Sequence, residues 1–206
     1  LIVVTNSKAY KQCQKNNIMC WEKDYIRIFG YEPLKCIGPS SVAVYKIEKE
    51  DNFAIAKIAV KSENAQDLYE ERERLRENQD LDWMPRIMLY RDYMGSSEKE
   101  FEILESFKMG GWRRRNPAIL IKEYIPGTIL KNVEGELLNF HQYNCVKSQI
   151  DEMHSRGYAG LDIVSSNILV QDSKRATLFD LGPSFGIYTR QDRIDDDLNS
   201  LDLLVE

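Results

Sequence analysis

Asp162, Asn167 and Asp180 have side chains and spacings that could work together. Four residues, Ile163, Val164, Ser165 and Ser166, separate Asp162 from Asn167, and the apolar run Ile168, Leu169, Val170 follows at once. A polar turn over residues 172–175 leads to a second apolar run over residues 176–179, which ends in Asp180, Leu181 and Gly182. This pattern predicts a loop, a strand, a turn and a second strand, a hairpin that brings Asp162, Asn167 and Asp180 near one mouth. Asn167 and Asp180 offer two hard oxygen ligands suited to Mg²⁺, which takes few ligands from protein and the rest from phosphate and water. The Asp162 carboxylate is then free to accept a proton. An Asp-x4-Asn spacing alone arises by chance, and Asp-Leu-Gly alone is an ordinary turn. The two together, with apolar runs correctly placed between them, are a more specific signal.

Other stretches predict the elements that would position these groups. Residues 53–60, FAIAKIAV, read as a strand, and a lysine inside such a run is costly unless its ammonium finds an anion. Lys57 fits that description, whereas Lys61, of the same strand parity, reads as a solvated strand end. Residues 65–78 form a charged helix with Leu68 and Leu75 on one face; Glu71 shares that face, and Glu70 and Glu73 point elsewhere. Residues 33–46 predict a strand, a small-residue turn and a returning strand. Gly38 and Ser40 in that turn could lay backbone N–H groups over phosphate oxygens, although a plain hairpin also explains them. Residues 86–90 and 118–123 read as strands, and Pro126-Gly127 breaks the second. A long helix over 137–156 carries Tyr143, Val146, Ile150 and Met153 as its apolar stripe, ends at Gly157, and places His154 in packing. Asp195, Asp196 and Asp197 open a last helix, where acids suit the N-terminus, with Leu198, Leu201 and Leu204 on one side. Arg113, Arg114 and Arg115 could meet an anionic partner such as RNA, a phosphorylated protein or a phosphosugar; such runs are more often simply exposed.

Taken in order, these features resemble the protein kinase-like superfamily, whose pattern is H-R-D-x-x-x-x-N followed by D-F-G. The chain has Gly160, Leu161 and Asp162, then Asn167, then Asp180, Leu181 and Gly182. The wording is similar to that of small atypical kinases: the RIO group, the tRNA-modification-complex kinase and the lipopolysaccharide-core sugar kinases. The resemblance covers residues 33–204. It implies that Asp162 orients and deprotonates an acceptor hydroxyl, that Asn167 and Asp180 hold Mg²⁺, and that Lys57 binds the α- and β-phosphates of ATP while paired with Glu71. It further implies a phosphate loop at Gly38 and Ser40, and a hinge at Glu123, Tyr124 and Ile125 whose backbone binds the adenine edge. Gly160 and Leu161 replace the family's His and Arg, Val164 stands where a Lys is usual, and Leu181 replaces the Phe. The missing Arg argues against control by activation-loop phosphorylation.

The expected fold is α+β, a minimal two-lobe kinase-like architecture with a reduced C-terminal lobe. Residues 1–32 would be an N-terminal extension, 33–123 a mainly β lobe with one helix, and 124–206 a helical lobe. The expected activity is ATP- and Mg²⁺-dependent phosphoryl transfer to Ser or Thr of a protein. A small-molecule or lipid-sugar alcohol is the competing acceptor, and a pseudokinase or ATPase module acting through a partner is the reading from another class. At 206 residues and 43% hydrophobic content, the chain can bury a core. A net charge of -5 opposes broad, charge-driven nucleic-acid binding. No apolar run approaches the ~18 residues of a membrane span. Residues 1–4 are too short for a signal-peptide core, and the lack of an initiator Met implies a trimmed or incomplete start. Four cysteines without C-x-x-C spacing read as reduced and cytoplasmic.

Overall fold

Period-two alternation over residues 42–49 and 53–59 and the apolar run within Ala118–Glu123 predict strands, and all three stretches form them. The structure, a computed structural model, describes residues 20–39, 42–59, 62–91, 117–180 and 190–205. Its helices and antiparallel sheets make the chain α+β. Two compact units divide it: Leu1–Tyr69 with Ile87–Tyr124, and Glu70–Arg86 with Ile125–Glu206. Among the described residues, no helix is long and apolar enough to cross a membrane.

In the first unit, α1 (Cys20–Ile28) precedes β1 (Glu32–Pro39), β2 (Val42–Lys49) and β3 (Asn52–Ala59); β4 (Ile87–Arg91) and β5 (Ala118–Glu123) complete the sheet. The strands are antiparallel in the order β1-β2-β3-β5-β4, so β3 is bonded on both edges. One face carries Tyr45, Ile47, Ala54, Ala56, Ile58, Ile119 and Ile121, which form a core with Tyr25 and Ile26 of α1. The Tyr25 hydroxyl donates to the Pro117 carbonyl (3.0 Å), and the Tyr45 hydroxyl donates to the buried Glu22 carboxylate. Residues 20–28, which had no functional reading in the sequence, therefore belong to the core of this unit.

The register orders the other face of the sheet into rows. Val44, Lys57 and Leu120 form one row, and Lys46, Ile55 and Lys122 the next. Glu48 and Phe53 form the third, continued by Tyr124, whose ring lies 6.2 Å from that of Phe53. Lys61, Ser40 and the residues from 92 to 116, including Arg113, Arg114 and Arg115, lie outside the described residues.

The division passes through α2 (Ser62–Glu77), on which Leu68, Glu71 and Leu75 are all buried, as their shared face requires. In the second unit, β6 (Thr128–Ile129), β7 (Ile168–Val170) and β8 (Ala176–Leu178) form a small antiparallel sheet. Gly127 is needed beside it, because a Cβ there would stand 2.9 Å from the Val170 carbonyl oxygen. Helix α3 (Phe140–Ser155) starts three residues later than its apolar pattern predicts. Asn139 caps it, accepting from the His141 and Gln142 amides while the Gln142 side chain accepts from the Asn139 amide. Gln149 of α3 donates to the Ala176 carbonyl and accepts from the Leu178 amide, both at 3.0 Å, and so satisfies the edge of β8 as a strand would. Arg156 binds Asp80 bidentately (2.8 and 2.7 Å) and the Trp83 indole donates to Glu152 (3.2 Å), which fastens residues 77–86 to the end of α3.

Helix α4 (Arg190–Asp202) corrects the expected start at Asp195. The three acids lie in its middle, where the N-terminal partial charge no longer acts.

Burial pushes the Glu22 carboxyl above its ordinary 4.5, against the smaller opposing effect of the Tyr45 hydroxyl. The folded state holds this proton more tightly than the unfolded chain, so the stabilisation is complete below the unfolded pKa and is lost as pH rises through the folded one. The urea midpoint of the wild type relative to Glu22→Gln should therefore fall over the pH interval that starts at the ordinary 4.5 and rises through the folded value. A constant difference over that interval would show that burial does not perturb this carboxyl.

Candidate active site

The second unit builds the loop that carries Asp162. Leu161 and Ile163 are almost fully buried, so the side chain between them is turned outward, and Asp162 is exposed. The Asp162 backbone has φ +53°, a left-handed conformation that Asp tolerates better than most residues but that surrounding contacts must still maintain. The Asn167 side-chain amide supplies two of them, donating to the Asp162 carboxylate (2.9 Å) and to its carbonyl (3.0 Å). Asn167 is itself positioned by the short 3-10 turn Ser165–Asn167 and by the Phe179 amide, which donates to its backbone carbonyl (3.2 Å).

The carboxylate of Asp197 fixes the loop from behind. It is 4% exposed and accepts from the Gly160 and Leu161 backbone amides, each at 2.8 Å. The His154 Nε2 atom lies 2.9 Å from the same carboxylate. A carboxylate this deep needs such partners, because an unsatisfied buried charge is strongly unfavourable. Gly160 has φ +73°, a conformation with little penalty for glycine, and this lets consecutive amides converge on Asp197. Asp197, expected as a helix cap, instead holds the loop, and His154, expected in packing, lies against its carboxylate. A signal for Asp197 existed: it is three residues after Ile194 and four before Leu201, a carboxylate on the apolar side of α4.

The β7–β8 hairpin brings Asp180 toward Asn167. Ile168 pairs with Leu178, and the bond from the Phe179 amide to the Asn167 carbonyl extends the ladder by one step. Asp180 is the next residue, so it emerges at the same end of the hairpin as Asn167. With its amide nitrogen turned to Asp162, Asn167 directs its side-chain oxygen the other way, where the Ser166 hydroxyl donates to it at 3.5 Å. An amide oxygen and a carboxylate are hard donors, few in number, and this fits Mg²⁺ completed by phosphate and water. Among the described residues, no three His, Cys, Asp or Glu side chains cluster as a metal site. Leu181 and Gly182 lie outside the described residues.

The remaining candidates are distributed over both units. Lys57 is 6% exposed on β3, on the face turned away from the apolar core, and Glu71 is 5% exposed in the part of α2 that belongs to the second unit. Gly38 pairs with Val44, which in turn pairs with Lys57. Glu123 is exposed at the end of β5, Tyr124 closes the first unit, and Ile125 opens the second. Lys122, 3% exposed on the same sheet face as Lys57, was not anticipated.

Asp197→Ala would strand two buried amide donors and the imidazole. We expect it to lower the unfolding free energy by about 2–5 kcal/mol, read from urea titration. A loss below ~1 kcal/mol would show that the loop is held by other contacts.

No protein-family model matches the chain, and no curated protein matches its sequence.

Proposed function

We propose that this chain is an ATP- and Mg²⁺-dependent phosphotransferase, a small atypical Ser/Thr protein kinase of two-lobe kinase-like architecture, acting in the cytoplasm. The observation that carries the reading is the outward Asp162 carboxylate on an anchored loop, hydrogen-bonded to Asn167 at 2.9 Å, with Asp180 at the same hairpin end. In this reading Asp162 takes the proton of the acceptor hydroxyl. The acceptor oxygen bonds to the γ-phosphorus as the bond to the β–γ bridging oxygen breaks, and ADP leaves. Asn167 and Asp180 hold Mg²⁺, which neutralises charge on the phosphates when bound. On the first unit, Lys57 draws the α- and β-phosphates, and the backbone of Glu123 and Tyr124 receives the base. Catalysis is then chiefly positioning and charge stabilisation by groups set in place beforehand.

Transfer from γ-labelled ATP in Mg²⁺, with a generic protein substrate and a lysate, tests this. Wild type should label protein. Asp162→Asn keeps the size of the side chain but not its basicity, so it should lose about 10²-fold or more of the rate while still binding nucleotide. Asp162-dependent loss of ATP without labelled protein would move the acceptor to a small-molecule or lipid-sugar alcohol. Nucleotide binding without turnover in either protein would replace catalysis with a partner-binding role.

A further inference from the structure

The sheet face that carries Lys57 continues beyond the phosphate lysine. Along β3, Lys57, Ile55 and Phe53 share this face, so Phe53 lies about 13 Å along the strand from Lys57. At the Phe53 end, the Lys46 ammonium stands 4.1 Å from the centre of the Phe53 ring and 4.2 Å from that of Tyr124. The two rings meet edge to face. A lysine can cover aromatic rings with its stem while its ammonium stays in water. Here the ammonium itself lies over both rings, and Phe53 remains 43% exposed.

We propose that Lys46, Phe53 and Tyr124 form the base-binding end of this face, and that Lys46 makes it accept GTP at least as well as ATP. The inference rests on the nucleotide reading given above: with phosphates at Lys57, the base is directed toward Phe53 and Tyr124. The part of the Phe53 ring left exposed beside the ammonium supplies apolar surface to any base. The ammonium supplies selectivity. It carries three N–H donors and no acceptor. Guanine presents two adjacent acceptors, O6 and N7, whereas adenine places an N6 amino donor beside N7. A cationic donor therefore gains a charge-assisted hydrogen bond with guanine and meets a donor on adenine.

The test is calorimetric titration of the full chain, in Mg²⁺, with GTP, ATP and inorganic tripolyphosphate, for wild type, Lys46→Met and Lys46→Arg. Wild type should bind GTP as tightly as ATP or more tightly. Lys46→Met, which keeps the unbranched stem, should weaken GTP about tenfold relative to ATP and leave tripolyphosphate unchanged. Lys46→Arg, which keeps the charge and the donors, should retain the wild-type ratio. An ATP-to-GTP ratio that is the same in wild type and Lys46→Met overturns the inference and leaves the nucleotide reading standing. Equal weakening of all three ligands overturns it too, by assigning Lys46 to phosphate or to folding. Wild-type protein that binds neither nucleotide defeats the nucleotide reading itself.

Discussion

One buried carboxylate constrains the loop that carries Asp162 in the second unit. Asp197 takes the amides of Gly160 and Leu161 at 2.8 Å, and those amides fix the backbone leading into Asp162. Leu161 and Ile163 then sink into the unit, and the Asp162 side chain has only the outward direction left. The left-handed backbone at Asp162 would relax in an unconstrained loop, since it costs a non-glycine residue free energy. It persists because anchors act on both sides: Asp197 behind the loop and Asn167 beside it. The Asp162 carboxylate is thus set before any ligand arrives, which is the condition under which positioned polar groups accelerate a reaction most.

A second constraint, strand register, organises the first unit. The sheet buries Tyr45, Ile47, Ala54, Ala56, Ile58, Ile119 and Ile121 on one side. With a side-chain period of two, their neighbours must appear together on the other side. Lys46, Lys57 and Lys122, from three different strands, thereby share a face with Phe53 and Tyr124. Lys57 and Lys122 are nearly inaccessible cations, and burial of an ammonium is tolerated only where anionic or polar partners meet it.

The parts of this architecture that were legible in the sequence are local. Alternation marked β2 and β3, an apolar run broken by Pro126-Gly127 marked β5, and the three-and-four spacing of Val146, Ile150 and Met153 marked α3. Asp162 and Asn167 meet because the loop between them is short and the hairpin that follows fixes its exit. What escaped the sequence is nonlocal. Asp197 is 36 residues from the amide of Leu161 that it accepts from, and a run of three acids is indistinguishable in composition from a helix start. Gln149 sits inside an apolar stripe for the sake of the edge of β8, 27 residues away at Ala176. The Lys46 contact with Phe53 and Tyr124 joins β2, β3 and the residue that follows β5, and follows only once the strand pairing is known.

The preset loop is tested most directly by amide hydrogen exchange at Gly160 and Leu161 in the ligand-free full chain. If Asp197 holds both amides as described, they should exchange slowly, with opening free energies close to those of the buried amides of α3. Exchange of these two amides at the rate of an unstructured peptide would contradict the account, because Asp162 would then have no fixed backbone from which to act.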